Sequence, residues 1–216
     1  MATYESLIKI KGAVGDLVFY NLNGKNIVRK KSGFNKTAFK KSPTYEKVRQ
    51  NSSEFGHCSK IGKVIRQALE KYIRSADDPL LYQKFARLMT AIKDLDSVSE
   101  RGKRTISKGI STEEGKLLLK GFRFGNRPNF DDKTAVSLNL WDKTLHLGEQ
   151  YSGADEVTIV SLKVDPEKYT AETFEDQIPL NGQEKVVFRK HFPDDETVLH
   201  FVVLKKDGQI TNMGFV

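Results

Sequence analysis

The apolar residues of this chain change period along its length, and that change limits what the polypeptide can fold into. Between Ser42 and Ser99 they recur every three or four positions, the repeat of a helix with one buried face. From about residue 117 onward they alternate with polar residues, the repeat of a half-buried strand. Helices and strands segregated in this way define an α+β chain.

In the helical stretch, Ser42-Pro43 offers a capping hydroxyl with proline at the first helical position. Tyr45, Val48, Ser52, Phe55, Ser59, Gly62, Ile65, Leu69 and Tyr72 then mark one face of a long helix, with Gly56 its weakest point. The middle of that face is small: Ser52, Gly56, Ser59 and Gly62 would let another backbone approach. A helical glycine costs about 1 kcal/mol relative to alanine, so two of them call for a packing reason. Asp78-Pro79 starts a second helix, striped by Leu81, Phe85, Leu88, Met89, Ile92 and Leu95. An antiparallel helical hairpin joined at Ser75-Ala76-Asp77 follows, and residues 100–116 read as a polar linker with a short helical turn at 111–114.

Before the helices, Leu7–Lys11, Leu17–Tyr20 and Lys25–Arg29 are separated by Gly12, Gly15 and Asn23-Gly24, the last a strong hairpin signal. They predict a three-stranded β-meander, followed at 30–41 by a basic, turn-rich connector. After the helices, the candidate strands are Leu117–Phe124, Ala135–Trp141, Thr144–Leu147, Val157–Val164, Lys185–His191, Val198–Leu204 and Ile210–Phe215, the last two joined at Lys206-Asp207-Gly208. Seven short strands fit an immunoglobulin-like antiparallel β-sandwich, with Trp141 either its core anchor or at a strand end. Cys58 is the only cysteine, so no inter-sheet disulfide can form. The expected organisation is therefore 1–41 meander and connector, 42–99 helical hairpin, 100–116 linker, and 117–216 sandwich.

Several functional classes find little in this sequence. No segment approaches the ~18 consecutive apolar residues of a membrane span, and the N-terminus lacks the pattern of a secretory signal. Synthesis in a reducing, cytoplasmic compartment is expected, with a virion or other assembled particle as a further location. Gly56-His57-Cys58-Ser59-Lys60-Ile61-Gly62-Lys63-Val64 has the wrong glycine spacing for a phosphate loop and no hydroxyl residue after Lys63. His57, His146, His191 and His200 lack the spacing of helix-borne metal ligands, although His191 and His200 could approach across a turn at Pro193-Asp194-Asp195. No serine sits in a Gly-x-Ser-x-Gly elbow. The doublets Asp77-Asp78, Asp131-Asp132 and Asp194-Asp195 fall at expected turns or caps. The reading is a protein that is not an enzyme and carries no cofactor or metal.

Charge is more informative. The net charge of +8 is unevenly spread: residues 1–74 hold 16 basic and 5 acidic side chains, and residues 131–216 hold 9 and 16. A net +11 front facing a net −7 back suits association between copies, or with subunits of a larger particle. The alternative partner is nucleic acid, met by Arg29, Lys30, Lys31, Lys40, Lys41, Lys63 and Arg66 with stacking help from Tyr20, Phe34 and Phe39. Six phosphate contacts would give a log–log salt slope of about −5. A weaker alternative is a sandwich that binds carbohydrate or protein ligands through an exposed Trp141 or Tyr151.

One stretch also resembles a known family. Ile8-Lys9-Ile10-Lys11-Gly12-x-x-Gly15-x-x-x-Phe19-Tyr20, then Gly24 with Val28-Arg29-x-Lys31-x-Gly33, resembles the opening of a widespread uncharacterised family of Bacteroidota proteins. Ser42-Pro43, Arg49-x-Asn51 and Glu54-Phe55-Gly56-x-x-Ser59-x-x-Gly62-Lys63-x-x-Arg66-x-Ala68-Leu69 continue the likeness. It covers residues 7–70, weakens over the second helix, and survives in 117–216 only as a β-rich layout. The resemblance implies an architecture and a phage-like or assembly context, with no established activity. Phe19, Tyr20, Phe55, Gly56, Ser59 and Gly62 are its expected packing or interface positions.

Overall fold

A computed structural model describes residues 2–6, 10–31, 36–125, 130, 136–140, 142–148, 151, 153–193 and 198–216. Leu7–Lys9, Gly33, Phe34, Trp141 and the doublets Asp131-Asp132 and Asp194-Asp195 lie outside the described residues. The architecture mixes helices with antiparallel sheets, and the chain divides into two units, Met1–Arg49 and Gln50–Val216.

The first unit is built on strands β1 (Ala2–Thr3), β2 (Gly12–Val14), β3 (Leu17–Leu22) and β4 (Lys25–Lys30), hydrogen-bonded in the order β1-β4-β3-β2. Asn23 and Gly24 both take positive φ, 51° and 80°, which closes the β3–β4 hairpin as the Asn-Gly pair predicts. Lys36–Lys41 forms a short helix, α1, where the sequence read only a connector. Ser42 does not cap through its hydroxyl. Its carbonyl instead accepts from Tyr45 N and from Arg49 Nη1, and Arg49 also reaches the carbonyl of Phe39 at 2.6 Å.

The long helix α2 (Glu46–Ala68) is continuous through Gly56, so the stretch that superficially resembles a phosphate loop is helical. After α3 (Glu70–Ile73), Asp77 turns the chain in a left-handed conformation, and Asp78 Oδ1 accepts from Leu80 N ahead of α4 (Leu81–Asp94). α2 and α4 run antiparallel: Glu54 meets Lys93, Cys58 meets Met89, Gly62 meets Phe85 and Arg66 meets Tyr82. The hairpin read from periodicity is present.

Two further helices follow, α5 (Ile106–Ile110) and α6 (Glu113–Lys120). The second overturns the strand expected at Leu117–Phe124. Thr112 accepts from Gly115 N and caps a helix whose Leu119 alone among its three consecutive leucines is buried. The first places structure inside the expected linker. Its Gly109 backs onto α4 so closely that a Cβ there would lie 1.9 Å from the carbonyl oxygen of Ile92.

The strands of the second unit form two sheets. A four-stranded sheet runs in the order β11-β10-β7-β8, comprising β7 (Glu156–Asp165), β8 (Thr170–Pro179), β10 (Val198–Lys206) and β11 (Gln209–Phe215). A three-stranded sheet contains β5 (Ser137–Asn139), β6 (Thr144–His146) and β9 (Lys185–Val187). β8 has no counterpart in the strands read from the sequence. Thr170–Pro179 is an edge strand with only Ala171, Phe174 and Ile178 as non-proline apolar residues and little buried surface, so alternation barely registers.

Period two decides which neighbour each side chain meets. Val160 and Leu162 of β7, Leu199, Phe201 and Val203 of β10, and Met213 and Phe215 of β11 join the helical core. Val157, Ile159, Val202 and Leu204 point the other way, into a second core with Leu145, Val186 and Phe188. The four-stranded sheet is therefore the middle layer, covered by helices on one face and by the small sheet on the other. This explains why β7 and β10 read as nearly unbroken apolar runs.

Candidate functional site

The strand register of the first unit sorts its side chains onto two faces. Val18, Tyr20 and Leu22 of β3 share a face with Ile27 and Arg29 of β4, while Leu17 and Phe19 share the other with Val28 and with Val14 of β2. Both faces thus carry aromatic and aliphatic side chains, beside Lys25 and Arg29 on the first and Asn21, Asn26 and Lys30 on the second. Yet among the described residues of this unit Ile27 alone is buried, and Val14, Leu17 and Leu22 stay largely exposed. Tyr4 packs edge-on against Phe19 at 5.6 Å, and Arg29 lies 6.0 Å from the ring centre of Tyr20. Phe19 and Tyr20 are half-buried, on opposite faces.

The expected positions on α2 separate into two groups. Gly62 is buried, and a Cβ there would meet Met89 Cγ at 3.1 Å and Phe85 Cδ1 at 3.6 Å. It is an intramolecular contact point between α2 and α4. Gly56 has open space where a Cβ would stand, Ser59 is half-buried, and Phe55 is 60% exposed. The helix therefore presents Phe55 and Gly56 outward while Gly62 serves the core.

The basic residues separate in a similar way. Lys30, Lys31, Lys40 and Lys41 are exposed and make no ion pair among the described residues. Lys63 is exposed, whereas Arg66 is half-buried and stacks on Tyr82 at 4.5 Å and Phe85 at 5.6 Å. Divided at the observed boundary, residues 1–49 hold 11 basic and 3 acidic side chains, and residues 50–216 hold 25 of each. All of the net charge thus belongs to the first unit. The acidic excess of residues 131–216 is offset within its own unit by the basic residues of α2–α6.

One group of polar residues escaped the sequence reading, and of a second the sequence anticipated only the approach of His191 to His200. The first is centred on Glu54, which is 3% exposed. Its carboxylate accepts from Lys93 Nζ at 2.8 Å, from Arg104 Nε and Nη2 at 2.8 and 2.7 Å, and from Gly102 N at 2.6 Å. Arg104 is the first cause holding its carboxyl far below the usual carboxylate range. Next to it Asp96 is buried and accepts from the backbone of Thr105, Val98 and Ser99, which ties the 96–105 loop together. Burial opposes ionisation there, and these hydrogen bonds win, taking Asp96 down to about 2. The available signal was spacing: Glu54 stands four residues before Cys58 and Lys93 four after Met89, which puts each on the buried face of its helix.

The second group lies on the small-sheet side of the middle layer. Ser161 Oγ is 3.3 Å from His200 Nδ1, and His191 Nε2 is 3.0 Å from Asp176 Oδ2. Burial pushes His200 down to about 4. The two histidines do come near one cavity, each tied to a different residue. Elsewhere Cys58 is buried, its thiol pushed up to about 11 by desolvation and donating to Met89 O. Tyr151 is buried and packs edge-on against Phe130, so it provides no exposed platform. No helix among the described residues is long and apolar enough to cross a membrane. No protein-family model matches the chain, and neither does any curated protein or solved structure.

Proposed function

We propose that the protein is a non-enzymatic assembly protein whose N-terminal sheet docks onto another copy or onto subunits of a larger, phage-like particle. One observation carries this reading. A unit with aromatic and aliphatic side chains on both sheet faces buries only Ile27 among its described residues. So small a sheet gains too little from its own apolar surface to be ordered alone, and a partner's surface is the natural complement. Its 11 basic against 3 acidic residues would add long-range attraction to an acidic partner. The likeness to the Bacteroidota family fits this role, because the matched residues are glycines, aromatics and basic groups. The stacked four- and three-stranded sheets support reading the C-terminal strands as an immunoglobulin-like sandwich with helices laid on one face.

Sedimentation velocity of the full chain at several salt concentrations tests the self-association arm. Association that weakens in Leu17→Asp and in Leu22→Asp is expected. A strict monomer at micromolar concentration, unchanged at low salt, sinks it.

Nucleic acid is the second reading, favoured by Lys30, Lys31, Lys40 and Lys41, exposed and without an ion pair among the described residues. A gel-shift titration with generic DNA and RNA discriminates it. Charge reversal at those four lysines should abolish a salt-sensitive shift if this reading holds.

A further inference from the structure

The outer side of the α2–α4 pair holds a half-buried cation without an acceptor. Arg66 lies against its own helix, close enough that a Cβ at Gly62 would stand 3.3 Å from its Nη1. Its guanidinium carbon is 4.5 Å from the ring centre of Tyr82 and 5.6 Å from that of Phe85. The rings hold the guanidinium in place but offer its N–H donors no oxygen. Arg66 makes no hydrogen bond or ion pair among the described residues, and burial lowers its pKa. The other half-buried arginines of the described residues are satisfied, Arg104 by both oxygens of Glu54 and Arg49 by the carbonyls of Phe39 and Ser42. A desolvated cation is costly until an anion meets it.

Helical spacing sets what lies around it. Phe55, Ser59, Lys63 and Arg66 follow one another at intervals of four, four and three, so they share one stripe of α2. Phe55 is 60% exposed, and Lys63 is exposed with no ion pair among the described residues. On α4, Tyr82, Ala86 and Thr90 form a stripe at intervals of four. Apart from Arg66 and Tyr82 at one end and Phe55 at the other, the side chains here are small, which leaves a shallow groove for a third helix. Neither helix exposes a carboxylate along it. From Gln50 to Ala68 the only acid is the buried Glu54, and from Leu81 to Lys93 there is none.

We propose that this groove takes an acidic amphipathic helix of a partner protein, a carboxylate of which accepts from the Arg66 guanidinium while an apolar side chain packs on Phe55. Charge selects the occupant. A guanidinium fork fits a carboxylate with two parallel hydrogen bonds, and Lys63 one turn away adds a second attraction. A nucleic-acid backbone would need cations along its whole length, and the Phe55 end offers none. A second copy does not supply the helix: the only described helices of three turns or more are α2 and α4, and neither has an acidic face. The site lies within residues 50–216 and is independent of the assembly reading.

Fluorescence anisotropy with the full chain tests the assignment. The probe is a labelled helical peptide of about four turns, with leucine and glutamate along one face and alanine elsewhere. Versions with glutamine or lysine in place of glutamate, and an oligothymidylate of similar charge, are the comparisons. The glutamate peptide should bind with a Kd below about 1 mM, at least about tenfold more tightly than the glutamine version. Arg66→Gln should weaken it at least about tenfold, and Arg66→Lys should recover only part, because an ammonium lacks the fork. Lys63→Glu, at an exposed position, should weaken it at least about threefold with circular dichroism unchanged. Phe55→Ala should weaken it about fivefold. The proposal is overturned if the glutamate peptide does not bind at about 1 mM, if the glutamine or lysine version binds equally well, or if Lys63→Glu and folded Arg66→Gln bind as the natural chain does. Tighter binding of oligothymidylate, lost in Arg66→Gln, would overturn it in favour of nucleic acid.

Discussion

Replacing Glu54 by alanine should remove a larger share of the stability of residues 50–216 than any exposed charge could. The side chain is 3% exposed and Lys93, its partner across the α2–α4 interface, is 5% exposed. Truncation strips four hydrogen bonds of 2.6–2.8 Å and leaves the ammonium of Lys93 buried with only Asp94 beside it. Breaking a buried pair from one side costs about 3–5 kcal/mol. Asp94 is half-exposed and compensates in part, which places the expected loss near the lower end, at about 3 kcal/mol. With a urea slope near 2 kcal/mol/M, the unfolding midpoint should fall by about 1.5 M at unchanged slope.

The direction in pH follows from the lowered carboxyl. Glu54 is held below its ordinary value of 4.5, so its contribution is fully present above that pH and declines as pH falls below it. The difference between the natural chain and Glu54→Ala should therefore narrow by about 1.4 kcal/mol per pH unit below 4.5. Removing both charges, in Glu54→Leu with Lys93→Met, should recover about half of the loss, because no unpaired ammonium remains. A loss under about 1 kcal/mol in Glu54→Ala, or a double variant no better than the single one, would refute the reasoning.

The glycines of the helices make a second set of expectations. Gly56→Ala, with open space around the new methyl group, should stabilise by about 0.5–1 kcal/mol in the same urea titration. Gly109→Ala must push against the Ile92 carbonyl and should cost more than about 2 kcal/mol, visible as a large drop in thermal midpoint. His200 gives a separate pH signature. Its folded value near 4 lies below the ordinary 6.5, so stability is full above 6.5 and is lost as pH falls toward 4, by up to about 3 kcal/mol. His200→Phe should flatten the midpoint between those pH values, and an unchanged profile would show that the imidazole is not buried as described.

Local features of the sequence located much of the fold. The Asn23-Gly24 hairpin, the α2–α4 pairing and strands β6, β7, β10 and β11 follow from periodicity and turn chemistry, each written within a few neighbouring residues. Periodicity failed where burial is one-sided or slight. The run Leu117-Leu118-Leu119 looks like strand, but a cap at Thr112 and burial of Leu119 alone make it helix. β8 escaped because an edge strand buries little. Gly56 and Gly62 were indistinguishable as letters, and only the position of α4 makes one a contact and leaves the other open.

By itself, the sequence determined the helix-then-strand order, the hairpin turns, and a positive charge concentrated at the front. Those properties depend on the covalent order of residues and on interactions between near neighbours. Only the tertiary structure decided that the whole excess charge sits in residues 1–49, that Glu54 gathers Lys93 and Arg104, and that His200 and His191 border one cavity. These relations join residues from 9 to 50 positions apart, where side-chain pairing is fixed by packing and carries no periodic mark in the chain.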